Sequence, residues 1–117
     1  MKRKYRLRRN SDFRRVRHVG ESNASPILVL AFLRNNLAHS RFGFVVNKQL
    51  GKAVQRNKIK RRLREAARLR LSHIQTGYDL VFIARKRAAN AKYAELAQSM
   101  ETLLKSAGLW SESGCEE

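Results

Sequence analysis

The chain of 117 residues carries 26 Lys and Arg residues against 9 Asp and Glu residues, a formal net charge of +17. Its length suits a single compact domain, and no apolar run approaches the roughly 18 residues that a membrane span needs. The basic N-terminus lacks the apolar segment of a secretory signal, and the single cysteine, Cys115, has no partner within the chain. We therefore expect a reducing, cytoplasmic setting and no membrane association.

The charge is distributed unevenly along the chain. Residues 1–92 hold 25 basic and four acidic residues, a net of +21, whereas residues 93–117 hold one basic and five acidic residues, a net of −4. Arginine outnumbers lysine 17 to 9, and guanidinium groups bind phosphate oxygens in pairs and stack on bases. A surface that only aids solubility mixes both signs. The imbalance therefore predicts a nucleic acid partner.

The N-terminal part predicts a basic arm followed by a short helix. Residues 1–9 are expected to be mobile. Asn10 or Ser11 can cap a helix that runs to Val19, with Gly20 as its stop.

Two strands are predicted next. The polar residues 21–26 predict a turn, and the continuous apolar run 27–33 predicts a strand buried on both faces. Residues 41–46 predict a second strand, antiparallel to the first. Phe42 and Phe44 share one of its faces, where core packing is favoured over base stacking.

The most basic segment is also predicted to be a helix, over residues 53–71. At 100° per residue, one apolar stripe emerges that must face the core: Ile59, Leu63, Ala66 and Ala67. Residues 48–70 hold ten basic residues and one acidic residue. With so few acids, ion pairs along the helix cannot neutralise these charges, so the outward side predicts an RNA-binding or DNA-binding face.

The C-terminal part predicts a third strand over 78–84, a basic loop over 85–90 and a last helix over 91–107 that Gly108 ends. Residues 109–117 are expected to be a disordered acidic tail. The predicted order is α-β-β-α-β-α, a single α+β domain over residues 1–117 with a mixed sheet and helices packed on it.

Four blocks in this order resemble a known family. Residues 51–65, Gly-Lys-Ala-Val-Gln-Arg-Asn-Lys-Ile-Lys-Arg-Arg-Leu-Arg-Glu, closely resemble the Arg-Asn-Arg signature of the protein subunit of bacterial ribonuclease P. Residues 7–13 resemble the opening helix of that family. Residues 41–48 and 79–85 resemble the strands before and after the signature.

The resemblance implies a fold and a function. The fold is an α/β sandwich similar to the second domain of the fifth small-subunit ribosomal protein, with a left-handed βαβ crossover where the general rule favours a right-handed one. The function is assembly with a large catalytic RNA that removes the 5′ leader of precursor tRNA. The RNA would hold the magnesium ions, the protein would bind no cofactor and supply no catalytic residue, and one protein would bind one RNA.

The resemblance also implies roles for individual residues. The leader would be bound in a cleft between the first helix and the sheet, where Phe13 matches an aromatic of the family, although plain core packing of Phe13 is an equal alternative. The neighbouring Arg14 and Arg17 are expected to add leader contacts. Lys58 replaces the second arginine of the signature, which keeps the charge but loses the bidentate fork. Arg17 and Ala31 stand near positions where some members carry cleft aromatics. The residues that match the signature would contact the catalytic RNA: Arg56, Asn57, Lys58, Lys60, Arg61 and Arg64. From their charge, Lys48, Lys52 and Arg68 are expected to extend this RNA contact.

Two alternatives involve other classes of protein. A nuclease in its own right would need clustered carboxylates for metal ions or a paired histidine base, but the four acids before residue 93 are dispersed and His18, His39 and His73 are scattered. A structural RNA-binding protein of ribosomal type would share the fold and the charge, and it remains open at this point.

Overall fold

The computed structural model describes residues 2–112 of the chain. It contains three α-helices, which are α1 (Asn10–Val19), α2 (Ala53–Leu69) and α3 (Tyr93–Ser106). Four strands form one sheet: β1 (Glu21–Ala24), β2 (Leu28–Arg34), β3 (Arg41–Val45) and β4 (Tyr78–Ala84). Short 3₁₀ turns lie before α1 at Arg3–Tyr5 and between later elements at Lys48–Leu50, Leu71–His73 and Lys86–Asn90. The α+β class is confirmed.

The sheet has the order β1-β2-β4-β3. β2 pairs antiparallel with β1 and with β4, whereas β3 pairs parallel with β4. The predicted antiparallel direction of β2 and β3 is therefore correct, but β4 lies between them. Because β3 and β4 are parallel neighbours, α2 is the crossover of a βαβ unit. The handedness of that crossover stays a prediction.

The two faces of the sheet are covered by different helices. One face packs against α2 and α3 in the main core, where Phe42, Leu80 and Phe82 from the strands are buried. The stripe predicted for α2 is buried there as expected: Ile59, Leu63, Ala66 and Ala67. The other face packs against α1 in a smaller cluster built around Leu7, Val16, Ala31 and Val81.

The polar segment after α1 is a strand rather than the predicted turn. Residues of β1 pair with β2 from Glu21 opposite Phe32 to Ala24 opposite Val29, although the sequence Glu-Ser-Asn-Ala lacks an apolar period. The Asn23 side chain donates from Nδ2 to the backbone oxygen of Leu103 at 3.1 Å. Tertiary pairing therefore creates this edge strand, which local propensity does not favour.

The helix ends differ slightly from the prediction. Arg9 is the N-cap of α1 and makes no side-chain capping bond, so neither Asn10 nor Ser11 caps the helix. Gly20 follows α1 as predicted but has an extended backbone. A Cβ at Gly20 would collide with backbone oxygens of Val16 and Phe32, so close packing rather than a left-handed turn requires glycine there.

Both predicted flexible ends are partly packed against the domain. In the basic arm, Leu7 is buried and its N–H donates to the Phe42 backbone oxygen at 2.8 Å. In the tail, Leu109 is buried and the Trp110 ring stacks on His73 with a centroid distance of 4.8 Å. The prediction of a disordered tail is therefore wrong at Leu109 and Trp110. Residues 113–117 lie outside the described residues.

Candidate RNA-binding surface

The side of α2 away from the core carries a continuous set of polar and basic side chains. The buried stripe fixes the rotation of the helix, so the residues between its members turn toward solvent. At 1.5 Å per residue, the helix displays them along about 18 Å. We call this set the cationic face of α2, and all of its members are exposed or half-buried: Arg56, Asn57, Lys58, Lys60, Arg61, Arg64 and Arg68.

One cation of this face is neutralised within the helix. Arg68 donates from Nε to Glu65 Oε2 at 3.1 Å, and its Nη2 contacts Glu65 Oε1. The hydrogen bond from Arg68 lowers the pKa of Glu65 and raises the pKa of Arg68. Within residues 2–112, the other five cations of the face form no ion pair. Their charge is left for a partner outside the protein.

The basic arm brings a further cation beside this face. Arg6 forms a parallel bridge with Phe42 at the edge of β3, which holds the arm near α2. Burial and the nearby Arg6 charge lower the pKa of the Arg64 guanidinium, and Arg64 Nε is shielded from solvent with no hydrogen-bond partner in the described chain. Two like charges held close together favour an anion between them.

The loop before α2 extends the same surface. Gly51 has φ +124°, a conformation that favours glycine, and a Cβ there would collide with the Gln55 side chain. The Lys52 N–H donates to Gln55 Oε1 at 3.2 Å. This local structure fixes the start of α2 while Lys48 and Lys52 stay exposed.

The predicted cleft lies on the opposite face of the sheet, beside α1. Phe13 is half-buried and its ring lies directly over Gly43, where a Cβ would collide with it. Three further partly exposed side chains pack, like Phe13, against the buried cluster under α1: Leu33, Val45 and Ile83. Arg14 and Arg17 are exposed on α1. An apolar floor with cations beside it can hold a flexible nucleic acid strand by stacking and phosphate pairing.

A network of charges that the sequence analysis missed holds α1 on the sheet. Arg41 donates to the fully buried Asp79 from Nε at 2.9 Å and from Nη2 at 2.7 Å. Two residues of α1 join this pair. The Arg15 guanidinium lies 3.8 Å from the Asp79 carboxylate, and the Asp12 carboxylate lies 3.8 Å from the Arg41 guanidinium. Asn35 donates to Asp79 Oδ1 at 3.0 Å. The hydrogen bond to Asp79 raises the pKa of Arg41. We call this group the α1 junction.

Phe42, Phe44 and Ala31 all lie in packed positions of the fold. Phe42 is buried in the main core, and Phe44 stacks on Phe82 with centroids 6.0 Å apart. The positions of both rings support core packing rather than base stacking, as predicted. Ala31 is buried in the cluster under α1, so its small side chain shapes the packing of that helix.

Among residues 2–112, two of the three histidines of the chain lie in packing positions against aromatic rings. His39 lies against Tyr5, and His73 against Trp110. No cluster of three or more His, Cys, Asp or Glu residues that could hold a metal ion occurs within the described range. In that same range, no helix has the length and apolar character to cross a membrane.

Comparison with known proteins decides the family. The sequence profile of the family described as Ribonuclease P matches residues 1–108. This chain belongs to the ribonuclease P protein family. A protein of Clostridium novyi named ribonuclease P protein component is 42% identical over 112 residues, covering 94% of this chain and 99% of its own.

Solved structures agree with this family membership. The ribonuclease P protein of Staphylococcus aureus has a TM-score of 0.85 and 38% identity, covering 92% of this chain and 98% of its own. That of Thermotoga maritima has a TM-score of 0.80 and 34% identity, covering 86% and 96%. None of these relatives favours the ribosomal-type alternative.

The structure thus separates the predicted site residues of this ribonuclease P protein into two groups. The nine predicted RNA contacts lie together on α2 and its preceding loop, and the three predicted leader contacts lie on α1 across the sheet. The basic arm joins the two groups, because Arg6 lies near Arg64 and Arg9 begins α1. The functions of the individual residues stay predictions.

Proposed function

We propose that this chain is the protein subunit of a ribonuclease P whose RNA carries out the hydrolysis, one protein binding one RNA through the cationic face of α2. Five cations that form no ion pair with any described residue support this proposal. Binding to a polyanion would release its condensed counterions and relieve the repulsion among those cations. Under this proposal, the RNA holds the magnesium ions, the protein supplies no catalytic residue, and the complex works in the cytoplasm.

The substrate would be precursor tRNA, with its 5′ leader crossing the cleft beside α1. The leader varies in sequence between tRNAs, so its contacts must tolerate many bases. Stacking on Phe13 and phosphate pairing with Arg14 and Arg17 meet that requirement, because every base has a π-face and every nucleotide has a phosphate. The partly exposed Val45 and Ile83 would support the base that stacks there.

Reconstitution tests the proposal. The full chain is combined with bacterial ribonuclease P RNA and precursor tRNA at low magnesium concentration, and 5′-matured tRNA is measured. The wild-type protein should stimulate cleavage. Arg61→Glu with Arg64→Glu should weaken assembly with the RNA by about a hundredfold at low salt and leave the fold intact, because neither side chain is fully buried.

A matched control carries the same change in net charge elsewhere. Arg34→Glu with Lys105→Glu reverses two exposed cations that lie outside α2, α1 and the arm. This variant should assemble within about threefold of wild type. With five phosphate contacts, the wild-type affinity should fall with a log–log salt slope of about −4. Equal loss in both double variants, or a slope near zero, would contradict the proposal.

A further inference from the structure

A pocket that the proposed function does not use lies where the basic arm meets the end of α2. It has a volume of about 800 Å³, within the usual range for pockets that hold a small organic group. The buried side chains of Phe42 and Ile74 form its floor. Tyr5 and His39 form one wall, with ring centroids 5.8 Å apart and planes at 81°.

The walls of this pocket are held in place by hydrogen bonds. Ser40 Oγ donates to the backbone oxygen of Gln75 at 2.7 Å and accepts from the Tyr78 N–H at 3.1 Å. The bond from the Leu7 N–H to the Phe42 oxygen fixes the arm two residues after Tyr5. The pocket is therefore formed before a ligand arrives, which reduces the entropy lost on binding.

The rim combines polar groups with positive charge. The side chains of Ser72, Gln75 and Thr76 line the pocket and make no hydrogen bond to any residue in the described range. Lys4 Nζ lies 5.0 Å from the Tyr5 ring centroid. None of the described residues that line the pocket is Asp or Glu, so the pocket does not repel an anion.

Two further concavities rich in arginine lie along the basic arm. One is lined by Arg3, Arg6, Leu7 and Arg8. The next shares Arg6 and Arg8 and is lined also by Arg9, Asp12 and Arg41. An extended strand with a base in the pocket would meet a guanidinium group at its following phosphates.

We propose that this arm pocket binds one unpaired nucleotide of an RNA strand, with its base against Tyr5 and His39 and its phosphate against Lys4. The rings of Tyr5 and His39 and the apolar floor can pack against a base, and the polar rim can hydrogen-bond to the edge of that base. The arginines of the arm can pair with the phosphates of the connected backbone. The inference rests on the proposed function only in taking RNA as the partner. It adds a contact at the end of the molecule remote from the N-terminus of α2.

A designed oligonucleotide tests the pocket. A nine-unit ribose-phosphate strand with a single 2-aminopurine at its centre and abasic units elsewhere is titrated with the full chain, and the same strand without any base serves as the reference. For wild-type protein, the base should strengthen binding about tenfold, and stacking should quench its fluorescence. Tyr5→Phe, which keeps the ring, should behave like wild type.

Tyr5→Ala with His39→Ala removes the stacking wall. In this variant the base should give neither tighter binding nor quenching, whereas the fully abasic strand should bind as it does to wild type. Lys4→Ala should weaken both strands and reduce the salt slope by about one. Retained base-dependent quenching in a Tyr5→Ala, His39→Ala variant would overturn the inference.

Further readouts separate the possible failures. Thermal unfolding of each variant shows whether the arm substitutions disturb the fold, and His39→Ala alone provides a version that leaves the arm unchanged. If adenosine monophosphate binds wild type as tightly as the base-containing strand, the ligand is a free nucleotide and the inference of an RNA contact is wrong. If the single base gives the wild-type protein no gain in affinity and no quenching while reconstitution succeeds, the proposed function stands and the pocket inference is wrong.

Discussion

The helices α2 and α1 cover opposite faces of one sheet, and both carry many arginines that they use in different ways. On α2, five of the six cations of the cationic face form no ion pair within residues 2–112. On α1, Arg15 and Asp12 belong to a network around the buried Asp79. A buried carboxylate commits nearby guanidinium groups to the fold, whereas its absence leaves them available to an external anion.

Removing the buried carboxylate should have the largest effect on the fold. Asp79→Asn takes away the bidentate partner of Arg41, whose side chain is only 25% exposed. Breaking one side of such a pair leaves a charge without compensation, so we expect a loss of about 3 kcal/mol in the free energy of unfolding. Urea denaturation measures this loss.

Asp12→Asn is the matched control for that substitution. Its carboxylate lies 3.8 Å from Arg41 and is partly exposed, so its removal should cost less than about 1 kcal/mol. Equal losses in the two variants would show that burial of Asp79 does not distinguish the α1 junction from an ordinary surface ion pair.

The same comparison explains how far the sequence allowed prediction. The stripe of α2 repeats every three or four residues, so its buried residues and outward charges could be derived from a short window. The α1 junction joins Asp12, Arg41 and Asp79 from three distant segments. The spacing of these residues along the chain does not predict that they contact one another, because their contact depends on the order of the strands in the sheet.

Two other differences between the prediction and the structure, at β1 and at Leu109, also arise from contacts between distant segments. The polar strand β1 forms because β2 offers a free edge for pairing, and Leu109 is ordered because it reaches the main core. The arm cation Arg6 lies near Arg64 because the arm pairs with Phe42 at the edge of β3. Composition identified all of these segments as polar or basic, but their positions follow from tertiary packing.

A smaller effect is expected from Gly43→Ala, which tests the contact between α1 and β3. A Cβ at this position would collide with the Phe13 ring, and the rigid ring cannot bend away. We expect a loss of about 2 kcal/mol in the free energy of unfolding, together with weaker binding of the precursor leader. Assembly with the RNA through α2 should be unchanged.

The second-site change Phe13→Leu provides the check. Leucine is smaller and more flexible than the ring, so it should restore most of the stability lost in Gly43→Ala. It should not restore leader binding, because it offers no flat surface for stacking. Full recovery of leader binding in the double variant would show that Phe13 acts only in packing.

The smallest effect concerns Glu65, the one acid on the basic helix. Because the pKa of Glu65 is lowered in the folded protein by Arg68, the pair stabilises the fold above the ordinary pKa of a glutamate. That contribution is lost as the pH falls through the folded value. Glu65→Gln should therefore lower the melting temperature slightly at neutral pH, and the difference should vanish at a pH low enough to protonate Glu65 in the folded wild-type protein.

The same substitution should act in the opposite direction on RNA binding. Glu65→Gln frees Arg68 and removes a repulsive charge from the cationic face of α2, so affinity for the RNA should rise by less than about threefold. Filter binding at two salt concentrations measures this affinity, and the gain over wild type should be smaller at the higher salt concentration. A drop in affinity would mean that the Glu65–Arg68 pair presents Arg68 to the RNA, and the α2 face would then resemble the α1 junction in depending on a carboxylate.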